Sequence, residues 1–434
     1  MVAKSLGNRF FYGWVCVGAA FLVLFAYQVH YTFGVYLEPL VNEFGWSRAS
    51  TSAAYSLACG VSIPLGILWG KILDVYGPRI VFALSCFLGG LGLFLSGFIS
   101  QLWQFYLTFG LLWGAGWSAF FLIPNSVVRR WFIKKAGLAL GIAVCGIPLG
   151  WVVLFPLTAY LVDAVSIKGA FMSMGILIWL IGLVTAIVVK QSPEDIGLGP
   201  DGEVLEPLAE ERVPSSPGFQ EWEAGEAVRS RSFWMLWLVM FGLITVLSVV
   251  TVHGLAHCVQ RGILREVAAR IFGLMGLISI LGRLGFGSLG DYLARKGMPP
   301  IHARRYMYTI SGLLMGLGII ILSKVSGLGG LWAWAFVFGV GYGAHVPQTA
   351  SITGDMFGRK NLGFIMTLLG TAPGLAGIAG PIFAGWIYDL TGSYGVALQV
   401  AVLICLLVMV FSLLIVPPRR LAREADEDYC RVES

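Results

Sequence analysis

Arg283 stands in the run Leu281-Gly282-Arg283-Leu284-Gly285, inside an apolar stretch long enough to cross a bilayer. A cation at that depth costs roughly 2.5–3.5 kcal/mol even on the lenient insertion scale. Asp291 is eight residues on, about 12 Å at helical rise, so the charge does not snorkel easily. A guanidinium stays charged and presents a planar fork that fits a carboxylate. No acid falls at comparable depth. Glu38, Asp163 and Asp389 fall near one membrane face, and Asp74, Asp291 and Asp355 near the other. The expected partner of Arg283 is therefore a carboxylate ligand rather than a structural acid.

His253 and His257 share a helix face at i, i+4 spacing. Two ligands without a third do not make a metal site, and no metal is expected. His253, the deeper, is expected to hydrogen-bond at the substrate, and its imidazole could carry a proton near neutral pH. His257, nearer the helix end, reads as solvated. His30 is the second candidate for a coupled proton, and Tyr31 beside it can donate to a carboxylate. Asn125, Tyr342, Gln28, His345 and Gln348 are further polar candidates, each also able to serve as a helix–helix hydrogen bond. Phe120, Phe121 and Trp117 offer apolar walls.

These side chains need long helices to hold them. Of 434 residues, 57% are hydrophobic and 12% charged, and mean hydropathy is +0.82. Soluble domains carry about 25% charged residues. The composition excludes a disordered chain, a coiled coil and a disulfide scaffold, since six of seven cysteines lie in apolar stretches. Twelve helices are expected, about 12–38, 50–73, 79–99, 102–126, 137–163, 168–190, 232–260, 267–293, 305–324, 329–354, 361–389 and 394–416. Only helices and closed barrels satisfy their backbone in lipid, and these runs do not alternate as barrel strands do. The first stretch is too long for a signal peptide and ends in no cleavage-type sequence.

Of the 29 lysines and arginines, only Arg48, Lys168, Arg261, Arg265, Arg270 and Lys324 fall on the side opposite the termini, and Arg283 stands alone between. That bias puts both termini in the cytoplasm. Residues 1–190 form a first six-helix half and 232–416 a second. Residues 191–231, rich in proline, form a cytoplasmic linker, and 417–434 a cytoplasmic tail. Short loops and the lack of extended tails point to a multi-pass protein of a bacterial inner membrane.

The halves repeat each other. Gly70, Asp74, Gly77 and Arg79 follow the second helix, and Gly287, Asp291, Arg295 and Gly297 follow the eighth. Phe132, Lys134 and Pro156 recur as Phe357, Arg359 and Pro381, and Asp163 and Gly169 as Asp389 and Gly395. Two six-helix halves with a site between them is the architecture of an alternating-access carrier. The pattern G-x-x-x-D-x-x-G with a following arginine resembles the signature loop of the major facilitator superfamily, which implies that fold, an all-α membrane protein. There Asp74 would act as a charge and dipole latch at a helix end, with Gly70, Gly77, Arg79 and Asp291 as its gating companions.

A closer resemblance lies in Trp131-Phe132-Ile133-Lys134-Lys135-Ala136-Gly137-Leu138-Ala139-Leu140-Gly141, running on through Gly146 and Gly150. It resembles the fifth-helix signature of monocarboxylate transporters and is similar to oxalate/formate antiporters. Gly13-Trp14 and Pro124 fit the same group. The resemblance implies that Arg283 engages a substrate carboxylate. It aligns Tyr31 with a functional lysine of the animal transporters and Ser279 with an acid one turn before the arginine, so their proton relay does not carry over. It sets Leu369 where oxalate-type antiporters hold a second cation. One cation suits one carboxylate, with Leu369 and Phe120 against its apolar end.

The expected function is secondary transport of small monocarboxylates of lactate or pyruvate type, by proton symport. The alternative is an anion exchanger of oxalate/formate type. The chain carries no nucleophile–base set and no nucleotide-binding loop, so neither an enzyme nor a primary pump is expected. No cofactor and no nucleic-acid partner are expected; the partners are a small organic anion, a proton and the lipid bilayer.

Overall fold

The computed structural model describes residues 11–133, 135–190, 193, 198, 199, 201, 222–358 and 361–418. The side chains of Asp74, Leu122, Ile123 and Asn125 lie outside the described residues, as do Lys134 and most of the expected linker and tail.

The described chain is helical. We label the spans α1 (Gly13–Phe44), α2 (Arg48–Leu73), α3 (Val75–Ser96), α4 (102–131), α5 (Ala136–Ala164), α6 (Ile167–Val188), α7 (Arg231–Gln260), α8 (Arg265–Arg295), α9 (Pro300–Ser323), α10 (Leu328–Phe357), α11 (Leu362–Thr391) and α12 (Gly395–Leu413). Ten of these are long and apolar enough to cross a membrane. The other two are α4, which is broken into short pieces, and the glycine-rich α10. A further short helix, Ala224–Arg229, precedes α7 within the stretch expected as linker.

The helices run past several expected ends. The first was expected to stop at residue 38 but continues to Phe44, where Gly45 closes it at φ +69°. The ninth begins at Pro300 rather than 305, because proline suits a first helical turn.

Three spans depart from regular α geometry, two of them where polar candidates fall. Tyr27–Thr32 of α1 is a tighter 3₁₀ turn holding Gln28, His30 and Tyr31. Val250–Gly254 of α7 is a π segment holding His253. Tyr106–Trp113 of α4 is another π segment. Inside a membrane such irregular backbone is tolerated only against protein or an aqueous cavity, and π segments cluster at functional sites.

The end of α6 and the start of α1 lie on one side, since Tyr12 donates to the Val188 carbonyl at 2.8 Å. The start of α7 and the end of α12 meet in the same way, Ser232 donating to the Val416 carbonyl at 2.6 Å. We call this the terminal side and the opposite one the far side.

Candidate functional site

The two sets of six helices meet toward the far side. A Cβ on Gly34 of α1 would stand 2.1 Å from the Thr251 carbonyl oxygen of α7. One on Gly276 of α8 would fall 2.4 Å from Trp151 Cβ of α5, and one on Gly385 of α11 would fall 2.8 Å from the Ala49 backbone of α2. Only glycine permits such backbone approach. Toward the terminal side, Gly137, Gly141, Gly285 and Gly363 have open space around them. Leu138, Leu284 and Phe364 there are more than 60% exposed. The close glycine contacts between the two sets thus lie toward the far side, while these terminal-side glycines meet no neighbour within 4 Å.

Arg283 lies two helical turns from Gly276, so it shares the face that packs on Trp151 of the other half. Among the described residues it makes no ion pair. Its Nε is enclosed with no hydrogen-bond partner, while the residue as a whole is half-buried. The Arg283 Cζ stands 5.8 Å from the Tyr342 ring centroid. Tight contact between α8 and α10 brings the two together: a Cβ on Gly343 would sit 2.0 Å from the Ser279 carbonyl oxygen.

The α1 residues face this point. Tyr342 lies within electrostatic reach of Tyr27 and Tyr31, whose hydroxyls are 3.4 Å apart. Tyr31 stacks on Trp151 and Tyr27 on Trp117, with centroids 5.6 and 5.1 Å apart. Arg283, Tyr342, Tyr31 and Tyr27 thus converge from both halves. Tyr27 is missing from the sequence reading, although its i, i+4 spacing to Tyr31 put it on the same face.

His30 is built into the first half. Its ring lies between Trp117 and Tyr55, with centroids 3.8 and 4.1 Å away. Trp113 Nε1, which can only donate, lies 3.2 Å from His30 Nδ1. Nδ1 is therefore the acceptor, and Nε2 carries the hydrogen toward Cys59 Sγ at 3.4 Å.

His253 closes the far side instead of lining the Arg283 site. Its Nε2 is 2.8 Å from the Pro381 carbonyl oxygen, so that nitrogen donates, and Nδ1 is 3.2 Å from the Tyr394 hydroxyl. Tyr394 in turn accepts from Arg48 Nη1 at 3.0 Å. Ser52 of the first half lies 3.3 Å from His253 Nε2. Arg48 also lies 3.9 Å from Glu38 and sits 4.2 Å over the Tyr388 ring. The backbone N–H groups of Arg48 and Ala49 donate to Asp389 Oδ1 and Oδ2, each at 2.9 Å. On the matching pair of helices, Arg265 of α8 meets Asp163 of α5 at 2.5 Å.

Three expectations change. His257 is not solvated: it is buried, with Nε2 3.1 Å from the Leu322 carbonyl oxygen, because the last turn of α9 packs against it. Phe120 and Leu369 have no accessible surface and fill the core, so neither lines an open wall in this conformation. Phe120 turns edge-on to Trp113, whereas Phe121 is 52% exposed beside Tyr27. The Asn125 side chain lies outside the described residues.

Of the signature loop, the Asp74 side chain also lies outside them. Gly70 is half-buried and Arg79 exposed. Gly77 breaks the helix at φ +77°, and Gly297 of the second loop has φ +96°. Side chains are strained at both. Asp291 pairs with Arg304 at 2.9 Å, and Arg304 also meets Asp355 at 3.2 Å, tying α8, α9 and α10 together.

Comparison with known proteins matches this geometry. The family model described as Major Facilitator Superfamily matches residues 18–302 and 301–429. Monocarboxylate transporter 12 of Rattus norvegicus is 23% identical over 427 residues, which is 95% of this chain and 86% of that protein. Monocarboxylate transporter 11 of Homo sapiens is 26% identical over 400 residues, 88% of this chain and 78% of that one. A peptide transporter POT solved with alafosfalin superposes at TM-score 0.72, with 15% identity over 94% of this chain and 96% of its own. A bacterial homolog of the lysosomal transporter Spinster, solved inward-facing and occupied, superposes at TM-score 0.70, with 15% identity over 94% and 97%. The chain is a multi-pass membrane protein and belongs to the Major Facilitator Superfamily.

Proposed function

We propose that the protein is a secondary carrier of small monocarboxylates that works by alternating access and couples transport to protons. Arg283 carries this reading. It is a cation at mid-depth without an acidic partner among the described residues, with the Tyr342 ring beside it. A buried guanidinium left alone is costly, and one carboxylate would neutralise it. Tyr342 and Tyr31 stand ready to donate to the same anion, and the exposed ring of Phe121 suits a short apolar end.

The positive bias of the terminal side supports cytoplasmic termini. With that orientation the far side, where the halves meet closely, faces away from the cytoplasm. Residues 1–190 and 232–416 act as the two moving halves, 191–231 as their cytoplasmic linker and 417–434 as a tail.

For the proton we favour His253 over His30. His253 joins both halves through Ser52, Arg48 and Tyr394, so a change in its charge is felt where the halves part. His30 is enclosed within one half. Counterflow in proteoliposomes, with a carboxylate panel and with or without a pH gradient, tests the proposal. Uptake of lactate-sized acids driven by an inward proton gradient is expected. Oxalate–formate exchange indifferent to pH would overturn it.

A further inference from the structure

We infer that His345 is a specificity-determining residue that selects acids bearing a hydroxyl on the carbon next to the carboxylate. The inference rests on the monocarboxylate reading of Arg283. His345 lies one turn beyond Tyr342 on α10, with the two rings 5.6 Å apart. Arg283 and His345 thus both stand near the Tyr342 ring. Arg283 and His345 are also in direct electrostatic reach of each other.

His345 is 6% exposed. A polar ring so buried is expected to be hydrogen-bonded on both nitrogens or to face a ligand. Here Nδ1 is enclosed without a partner of good geometry. A neutral imidazole keeps one nitrogen as a bare acceptor, and with Nδ1 enclosed Nε2 is the nitrogen we assign to the ligand. Arg283 has a matching gap in its enclosed Nε. Two groups with unpartnered nitrogens near the same Tyr342 ring, one a cationic fork and one a neutral acceptor, complement a carboxylate with an adjacent hydroxyl. The hydroxyl would donate to Nε2 while the carboxylate takes the guanidinium. A 2-oxo group offers no hydrogen to that lone pair, and an unsubstituted acid leaves it empty.

Lactate, pyruvate and propionate have the same three-carbon frame and differ only at this carbon. Competition and direct uptake in proteoliposomes, with wild type, His345→Phe and His345→Gln, separate the roles. One good hydrogen bond predicts about tenfold tighter apparent binding of lactate than of propionate by wild type. His345→Phe should bring that ratio near one while propionate uptake persists. His345→Gln, with a carbonyl oxygen near the Nε2 position, should restore part of the ratio. An unchanged ratio in His345→Phe overturns the inference. So does an equal loss of all three acids, which would mark a packing role. Propionate uptake that is present in wild type and lost in Arg283→Ala supports the underlying reading independently. No uptake of any of the three acids by wild type would overturn both.

Discussion

Asp389, at the end of α11, holds the first two backbone N–H groups of α2, those of Arg48 and Ala49, with one carboxylate oxygen for each. It is a helix cap supplied by the opposite half. The free N–H groups at a helix start want an acceptor, and a negative charge there also meets the positive end of the dipole. The cap exists only while the far side is shut.

Asp389→Asn removes the charge and one of the two good acceptors, which costs about 1–2 kcal/mol of the closed state. Cys59 lies at the same α2–α11 contact, where a Cβ on Gly377 would come 2.6 Å from its Sγ. Thiol labelling of Cys59 from the far side should therefore rise several-fold in the variant. Equal labelling in both proteins would show that the cap does not hold the seam.

Arg283→Ala should reduce uptake by about 30-fold or more, the usual result of removing one partner of a desolvated charge pair. Arg283→Lys should fail as well, because an ammonium lacks the planar fork. Near-wild-type uptake by the alanine variant, at normal membrane levels, would remove Arg283 from the site.

Uptake by the wild type should rise in an inward proton gradient, and His253→Gln should flatten that dependence while counterflow persists. Glutamine can keep a hydrogen bond to the Pro381 carbonyl but cannot titrate. The groups around His253 are Arg48, Asp389, Glu38, Tyr388 and Tyr394. A full pH response in His253→Gln would assign the proton elsewhere.

Small monocarboxylates should compete for uptake, and oxalate and succinate should not, since a dianion beside one guanidinium keeps an uncompensated charge that costs several kcal/mol. Leu369→Lys is not expected to rescue dianion transport. Leu369 is fully enclosed in this conformation, and a lysine there would bury its charge. The two outcomes are read from competition curves and from the amount of folded variant in the membrane.

Gly343→Ala should impair transport although it removes no polar group. Its methyl would press on the Ser279 carbonyl oxygen and the Arg283 backbone, shifting the guanidinium away from Tyr342. A normal KM for lactate-sized acids in this variant would count against that positioning.

The sequence made the spans, the repeat and the isolation of Arg283 legible, because apolar length and charge placement act over whole helices. The match of Asp163 to Asp389 marked two residues that both prove to reach the opposite half. Which face a side chain takes was harder to read. His253 looked like a ligand contact because depth alone was visible. The π segment at Val250–Gly254 and the fold of α12 beneath it, which put Tyr394 against the ring, depend on tertiary packing. Phe120 and Phe121 are neighbours of one type, and only the turn that precedes Leu122–Trp131 decides which is enclosed.

The two aspartates of the repeat do unequal work. Asp163 meets only the side chain of Arg265, and both remain partly exposed, at 45% and 21%. Such a pair contributes about 0–1 kcal/mol and is weakened by salt. Asp389 is exposed as well, but it grips two backbone N–H groups at 2.9 Å, so its hold rests less on charge alone. The far side thus resembles a double door with one loose leaf and one bolted leaf. Opening is expected to start along α5 and α8, so high ionic strength on that side should hasten the first leaf and leave the second unmoved. Distance measurements with paired spin labels across each leaf would read this directly.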